Sequence, residues 1–219
     1  LFDLEDTLIQ TPWSDFQRVI EFRHKTREKL LALGIPSNVL EGIERATLMR
    51  NKSCEYVEKN FSKTESEKFH RELGEFFSRY ELDSARNSKL FPDTIPTLEK
   101  LRNLGVKIGL VTNTSMQAVN IAFQLHGLKD YFEVIVTREK VKQLKPNSEG
   151  ILLAVQTLKA KDFFMVGDLL FDVLAAKNAK GISVFVKRNS QEKDDPPADY
   201  VVYSLSEVSA IVEEKIRRK

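Results

Sequence analysis

Leu1-Phe2-Asp3-Leu4-Glu5-Asp6-Thr7-Leu8 opens the chain with two apolar residues, then acids and a threonine. A stub of this kind reads as a short buried strand running into a polar turn. The residues beyond it decide the fold to which that strand belongs. From residue 12 to residue 89 there is no strand pattern. That stretch is rich in Glu, Lys, Arg and Leu, with apolar residues at helical intervals. They fall in three sets: Phe16, Val19, Ile20 and Phe22; Val39, Leu40, Ile43, Ala46 and Leu48; Phe69, Leu73, Phe76, Phe77 and Tyr80. Breaks at Gly34-Ile35-Pro36 and Ser62-Lys63-Thr64 predict a bundle of about four helices.

From about residue 90 short apolar runs alternate with helical patterns. Helices are predicted over 97–104, from the cap Ser115 to Gly127, and over 147–158, 171–179 and 206–218. Strands are predicted over 106–112, 132–136, 163–166, 182–186 and 200–202, and the charged, proline-bearing stretch 189–198 reads as a loop. Alternation of this kind means βαβ units and a parallel sheet. The opening stub supplies one more strand, central in that sheet. The fold class is therefore α/β: a Rossmann-like core over 1–11 and 90–219, interrupted by a helical domain over 12–89. Residues 84–90 are its second linker and a hinge.

Ligands of open parallel sheets bind beyond the carboxyl ends of the strands. Past the first strand lie Asp3 and Glu5; past the second lie Thr112 and Asn113; Lys145-Pro146 precedes the next helix; Asp168 follows Gly167, with Asp172 four residues on. Each alone reads as turn chemistry, a helix cap or a solvated lysine. Together they gather carboxylates, a hydroxyl, an amide and one lysine at one edge, a set suited to a hard cation and a phosphate.

In this order the residues resemble the four motifs of the haloacid dehalogenase-like hydrolase superfamily, phosphoglycolate phosphatase-like in overall pattern. Leu1 to Leu8 is similar to motif one, Leu110-Val111-Thr112-Asn113 to motif two, Lys145-Pro146 to motif three, and Val166-Gly167-Asp168-Leu169-Leu170-Phe171-Asp172 to motif four. The helical insertion stands where that family carries its C1 cap. The resemblance implies a phosphatase in which Asp3 is the nucleophile, forming an aspartyl-phosphate, and Glu5 the acid and base. Mg2+ would be held by Asp3, the Glu5 carbonyl and Asp168, with Asp172 behind them or acting through water. Thr112, the Asn113 N–H and Lys145 would hold the phosphate. Glu5 stands where the family's phosphatases usually have Asp, Asp6 where Gly is frequent, and Gln143-Leu144 where a glycine is often found. The alternatives are a phosphomutase or 2-haloacid dehalogenase of the same fold, or a catalytically weak phosphate-binding regulatory protein. The acid pair Asp168 and Asp172 argues against the dehalogenase.

The partner expected is a small phosphorylated metabolite, read by the cap. Candidates facing the cleft are Trp13, His24, Arg50, Asn51, Lys52 and Tyr56, each of which reads by default as packing or solvated surface. Thirty-four basic residues against thirty-two acidic ones give a net charge of +2, too little to select nucleic acid. No apolar run approaches the roughly 18 residues of a membrane span. A single cysteine, Cys54, fits a reducing cytoplasm. The chain is expected to be a monomer or homodimer. It begins mid-pattern on Leu1, without Met, which predicts residues upstream.

Overall fold

The computed structural model describes residues 1–188 and 196–218. Most of the predicted 189–198 loop thus lies outside the described residues. Two short strands, β1 (Ile9–Gln10) and β2 (Lys89–Leu90), pair antiparallel with Ile9 opposite Leu90. Between them come α1 (Phe16–Ala32), α2 (Ala46–Asn60) and α3 (Lys63–Arg86). About four helices were expected there; the described residues form three α-helices. A 3-10 turn at Ser37–Leu40 stands where Val39 and Leu40 suggested another, because Pro36 and the left-handed Gly42 (φ 70°) leave room for one turn only. Asp15 caps α1 through the Gln17 N–H, and Ser62 with Glu65 closes a capping box on α3. The three helices bury their own cluster, including Leu30, Met49, Val57, Phe69 and Leu73. Phe16, at the first position of α1, is 59% exposed and takes no part in it.

Beyond β2 the chain alternates through α4 (Thr94–Asn103), β3 (Gly109–Val111), α5 (Met116–His126), β4 (Val134–Val136), α6 (Glu149–Leu158) and β5 (Phe164–Gly167). It closes with α7 (Leu170–Asn178), β6 (Ile182–Val186), β7 (Tyr200–Val202) and α8 (Leu205–Arg217). Residues 1–3 lie between β3 and β5. Phe2 N donates to Gly109 O and Asp3 N to Val166 O, each at 2.9 Å. With the parallel ladders β3–β4, β5–β6 and β6–β7, the sheet order is β4, β3, residues 1–3, β5, β6, β7. Alternate side chains along it enter two separate clusters. Phe2, Leu110 and Val166 meet α4, α5 and α8, whereas Leu1, Val111 and Met165 meet α6 and α7. Burial on both faces is why these strands read as unbroken apolar runs.

The predicted central position of the stub is therefore correct, and β6 and β7 fall on their predicted bounds. Strand β3 is shorter than 106–112. Its ladder begins at Gly109, where an added Cβ would stand 2.7 Å from Val134 and 2.8 Å from Leu1. Only glycine lets both neighbours close over that point. Helix α4 starts three residues before the predicted 97, since Pro96 occupies its first turn, where the missing N–H has no helical partner to lose. Ser84 and Ala85 are not linker: both are buried within α3, which packs along α5. No helix among the described residues is long and apolar enough to cross a membrane.

Candidate active site

Residues 1–3, β3 and β5 are adjacent and parallel, so the segments leaving them share one edge. Asp3, Thr112, Lys145, Asp168 and Asp172 are all buried there. Lys145 draws three of the predicted positions together. Its Nζ donates to Asp3 Oδ1 at 2.7 Å, to Asp172 Oδ1 at 2.5 Å and to the Val111 carbonyl at 2.9 Å. Asp172 Oδ2 also accepts the Leu169 N–H, fixing the first turn of α7. Gly167 makes this possible, because a Cβ there would stand 2.1 Å from the Asp172 carboxyl carbon. Asp168 accepts the Thr7 hydroxyl at 3.1 Å.

The Asn113 side chain braces the loop that carries Lys145. Its side-chain amide pairs with the Lys145 backbone, accepting from Lys145 N at 3.0 Å and donating to Lys145 O at 3.2 Å. Thr112 Oγ1 accepts the Thr114 N–H. Glu5 is held from two sides, by the Thr114 hydroxyl at 2.7 Å and by the Ser84 hydroxyl of α3 at 3.0 Å. Asp6 sits at φ 53°, a left-handed conformation that Asp tolerates better than most side chains, and its carboxylate ties back to Thr11 N and Oγ1. That tie explains why Asp serves where glycine is frequent.

The electrostatics are unbalanced. Asp3, Asp168 and Asp172 each present a carboxylate oxygen, all within 4.8 Å of one another, and Lys145 is the ammonium among them. Burial alone would lower the Lys145 pKa, but Asp172 and Asp3 together hold it above its ordinary value. Burial, then the charges of Asp172, Asp3 and Asp6, push Asp168 well above the usual carboxylate range. Burial likewise raises Asp172, against the pull of Lys145. Glu5 is pushed up to about 7 by burial, with the Thr114 hydrogen bond opposing. Three buried acids sharing one ammonium, all hard oxygen donors, fit a divalent cation that would supply the missing positive charge.

A cleft of about 210 Å³ opens over these groups. Its floor is Asp3, Thr112, Lys145 and Asp168, and the helical block contributes Trp13, Val19, Phe22, Arg23 and Arg45. Residues 1–186 match the family model described as haloacid dehalogenase-like hydrolase. The chain belongs to this family. Among relatives of the haloacid dehalogenase-like chain, a phosphoglycolate phosphatase of Vibrio parahaemolyticus is 33% identical over 65% of this chain and 64% of its own length. The pyrophosphatase PpaX of Bacillus velezensis is 32% identical over 51% of this chain and 54% of its own. The chain thus spans less than two thirds of each. A solved phosphatase of the family from Thermococcus onnurineus aligns over 96% of this chain and 95% of its own, with a TM-score of 0.58 and 28% identity.

Of the candidates expected to face the cleft, Trp13 alone lines it, its ring tilted against that of Phe22 at 5.0 Å between centroids. His24 borders a separate groove with Arg27 and Glu44, Lys52 pairs with Glu55, and Tyr56 packs edge-on against Phe61. Arg50 and Asn51 reach the loop before Lys145 instead. Ser84, expected in a linker, and Arg23, expected on a solvated helix face, join the site together with Thr114 and Arg45. A serine inside a helix or an arginine on a charged one has no local mark of its partner.

Proposed function

We propose that the chain is a magnesium-dependent phosphatase that hydrolyses a small phosphomonoester through an aspartyl-phosphate on Asp3. The observation that carries this reading is the Lys145 ammonium held between Asp3 and Asp172 on the cleft floor. Asp3 attacks phosphorus with one carboxylate oxygen while Lys145 steadies the other. The bond from phosphorus to the leaving oxygen breaks, and Glu5 protonates that oxygen. Glu5 then takes a proton from the water that attacks the aspartyl-phosphate, releasing orthophosphate and restoring Asp3. Its two hydroxyl partners fix the carboxyl despite the extra methylene relative to Asp. Thr112 and the Asn113 N–H hold phosphoryl oxygens.

Asp3, the Glu5 carbonyl and Asp168 would hold the magnesium ion, with Asp172 behind them. When bound, that ion neutralises phosphate charge and lowers the repulsion between two anions. In this reading residues 12–89 form a cap over a core of residues 1–11 and 90–219. Arg23 and Arg45 favour a leaving group with an anionic group of its own, and the small cleft limits its size. The names of the Vibrio and Bacillus relatives agree with that chemistry. A cytoplasmic setting fits both the substrate class and the buried free thiol of Cys54.

Release of orthophosphate from a panel of small phosphorylated metabolites, with and without magnesium, tests the proposal. Activity should require the metal, and Asp3→Asn should lower kcat by about 10⁴-fold or more, as loss of a nucleophile does elsewhere. A native chain inert on every ester, or an Asp3→Asn variant that retains activity, refutes it.

A further inference from the structure

The loop carrying Lys145 is gripped by two asparagines from different parts of the molecule. Asn113, just past β3, pairs with the backbone of Lys145. Asn51, on α2 of the helical block, pairs with the residue before it. Asn51 Nδ2 donates to Leu144 O at 2.9 Å, and Leu144 N donates to Asn51 Oδ1 at 3.1 Å. A primary amide has the donor and acceptor of a peptide, so this contact imitates one rung of a β-ladder. Around it, Arg50 reaches the Lys142 carbonyl and Gln143 Nε2 reaches the Asn51 carbonyl, both at 3.5 Å. Asn51 and Leu144 are buried, so neither has ready access to water as a substitute partner. A side chain from the helical block thus completes the hydrogen bonding of this loop.

We propose that Asn51 is a positioning residue that couples docking of the helical block to placement of Lys145. When α2 sits against the loop, the two amide pairs hold consecutive peptides and aim Nζ at Asp3 and Asp172. When the block lifts away, Leu144 loses both partners and Lys145 keeps only the Asn113 grip. The ammonium is then correctly set only over a covered cleft, where water is excluded and its charge acts at full strength. Asn51 itself lies outside the cleft lining and acts only through the loop.

Amide hydrogen exchange at Leu144 and Lys145 tests the coupling without reference to activity. Asn51→Ala removes both bonds. Asn51→Leu keeps most of the volume, makes neither bond, and serves where the alanine variant does not fold. In the folded variant both amides should exchange at least about fivefold faster than in the native chain, Lys145 included although its own partner is untouched. A smaller rise at Lys145 overturns the proposal. The second arm rests on the phosphatase reading. With p-nitrophenyl phosphate and magnesium, kcat should fall about 10- to 100-fold while KM moves less than about threefold. A kcat within about twofold of native, or a loss confined to KM, overturns it. A native chain without hydrolysis refutes the phosphatase reading, and the exchange arm then decides alone.

Discussion

Glu5 and Asp168 are both buried acids, but their neighbours differ in kind. Glu5 has two hydroxyl partners that hold it in one place, whereas Asp168 has the Thr7 hydroxyl and the charges of other carboxylates. The first arrangement orients a group, and the second leaves a demand for positive charge. Gly167 serves the acidic cluster, because its missing side chain admits the Asp172 carboxyl. Gly167→Ala should displace Asp172 from Lys145 and lower kcat by about 10²-fold, with the far-ultraviolet circular dichroism unchanged. Full activity in that variant would mean that Asp172 can move without consequence. Asp3, Lys145, Asp168 and Asp172 were legible in the sequence because each ends or follows a strand, or lies in or just before the first turn of a helix, and such positions converge by topology. The partners of Ser84 and Thr7 were not. They depend on side-chain direction, which in Ser84 nothing along its helix marks and in Thr7 the opening motif alone does not set.

At the scale of elements, α3 is held to the core by a buried ion pair. Arg138, after β4, meets Glu81 at 3.0 Å and also donates to Gly74 O and Ser78 Oγ of the same helix. Glu81 in turn accepts the Ser115 N–H at the start of α5. Removing one partner strands the other in a dry interface, so Arg138→Ala should lower the unfolding free energy by about 3–5 kcal/mol in a urea titration. At the other end of α5, His126 Nε2 lies 2.9 Å from Ser88 Oγ, and burial lowers its pKa. The unfolded chain binds a proton near the ordinary value of about 6.5, while the folded chain resists it to lower pH. The His126 contribution is thus complete above about 6.5 and is lost as pH falls through the folded value. The raised carboxylates of the site act with the opposite sign in both proteins, so the difference is the readout: the Tm of the native chain minus that of His126→Gln should fall over that interval. Elements bounded by caps and glycines, such as α5 and β6, were read closely from sequence. The Arg138–Glu81 pair was not, since its members are 57 residues apart and each looks like a surface charge.

Taken whole, the molecule has an acidic centre inside a chain of almost neutral net charge. A divalent ion that binds there should stabilise the fold by mass action, by about 2.7 kcal/mol at a hundred times its Kd. Urea midpoints measured with and without magnesium would show it, and Asp168→Asn should erase the difference. The order of the sheet was legible as far as the stub's central place. The three-helix make-up of the insertion was obscured, because a single 3-10 turn carries enough apolar residues to imitate a helix. That central place also bears on how the chain folds. Thr7 meets Asp168 across 161 residues of sequence, and the segment bearing Asp3 hydrogen-bonds to β5 as well as β3. Contacts of such long range form late and slowly. Until the stub is in place, no ladder among the described residues joins β3 and β4 to β5, β6 and β7. Asp3, Lys145 and Asp168 then never meet, so a half-made molecule is silent rather than wrongly active.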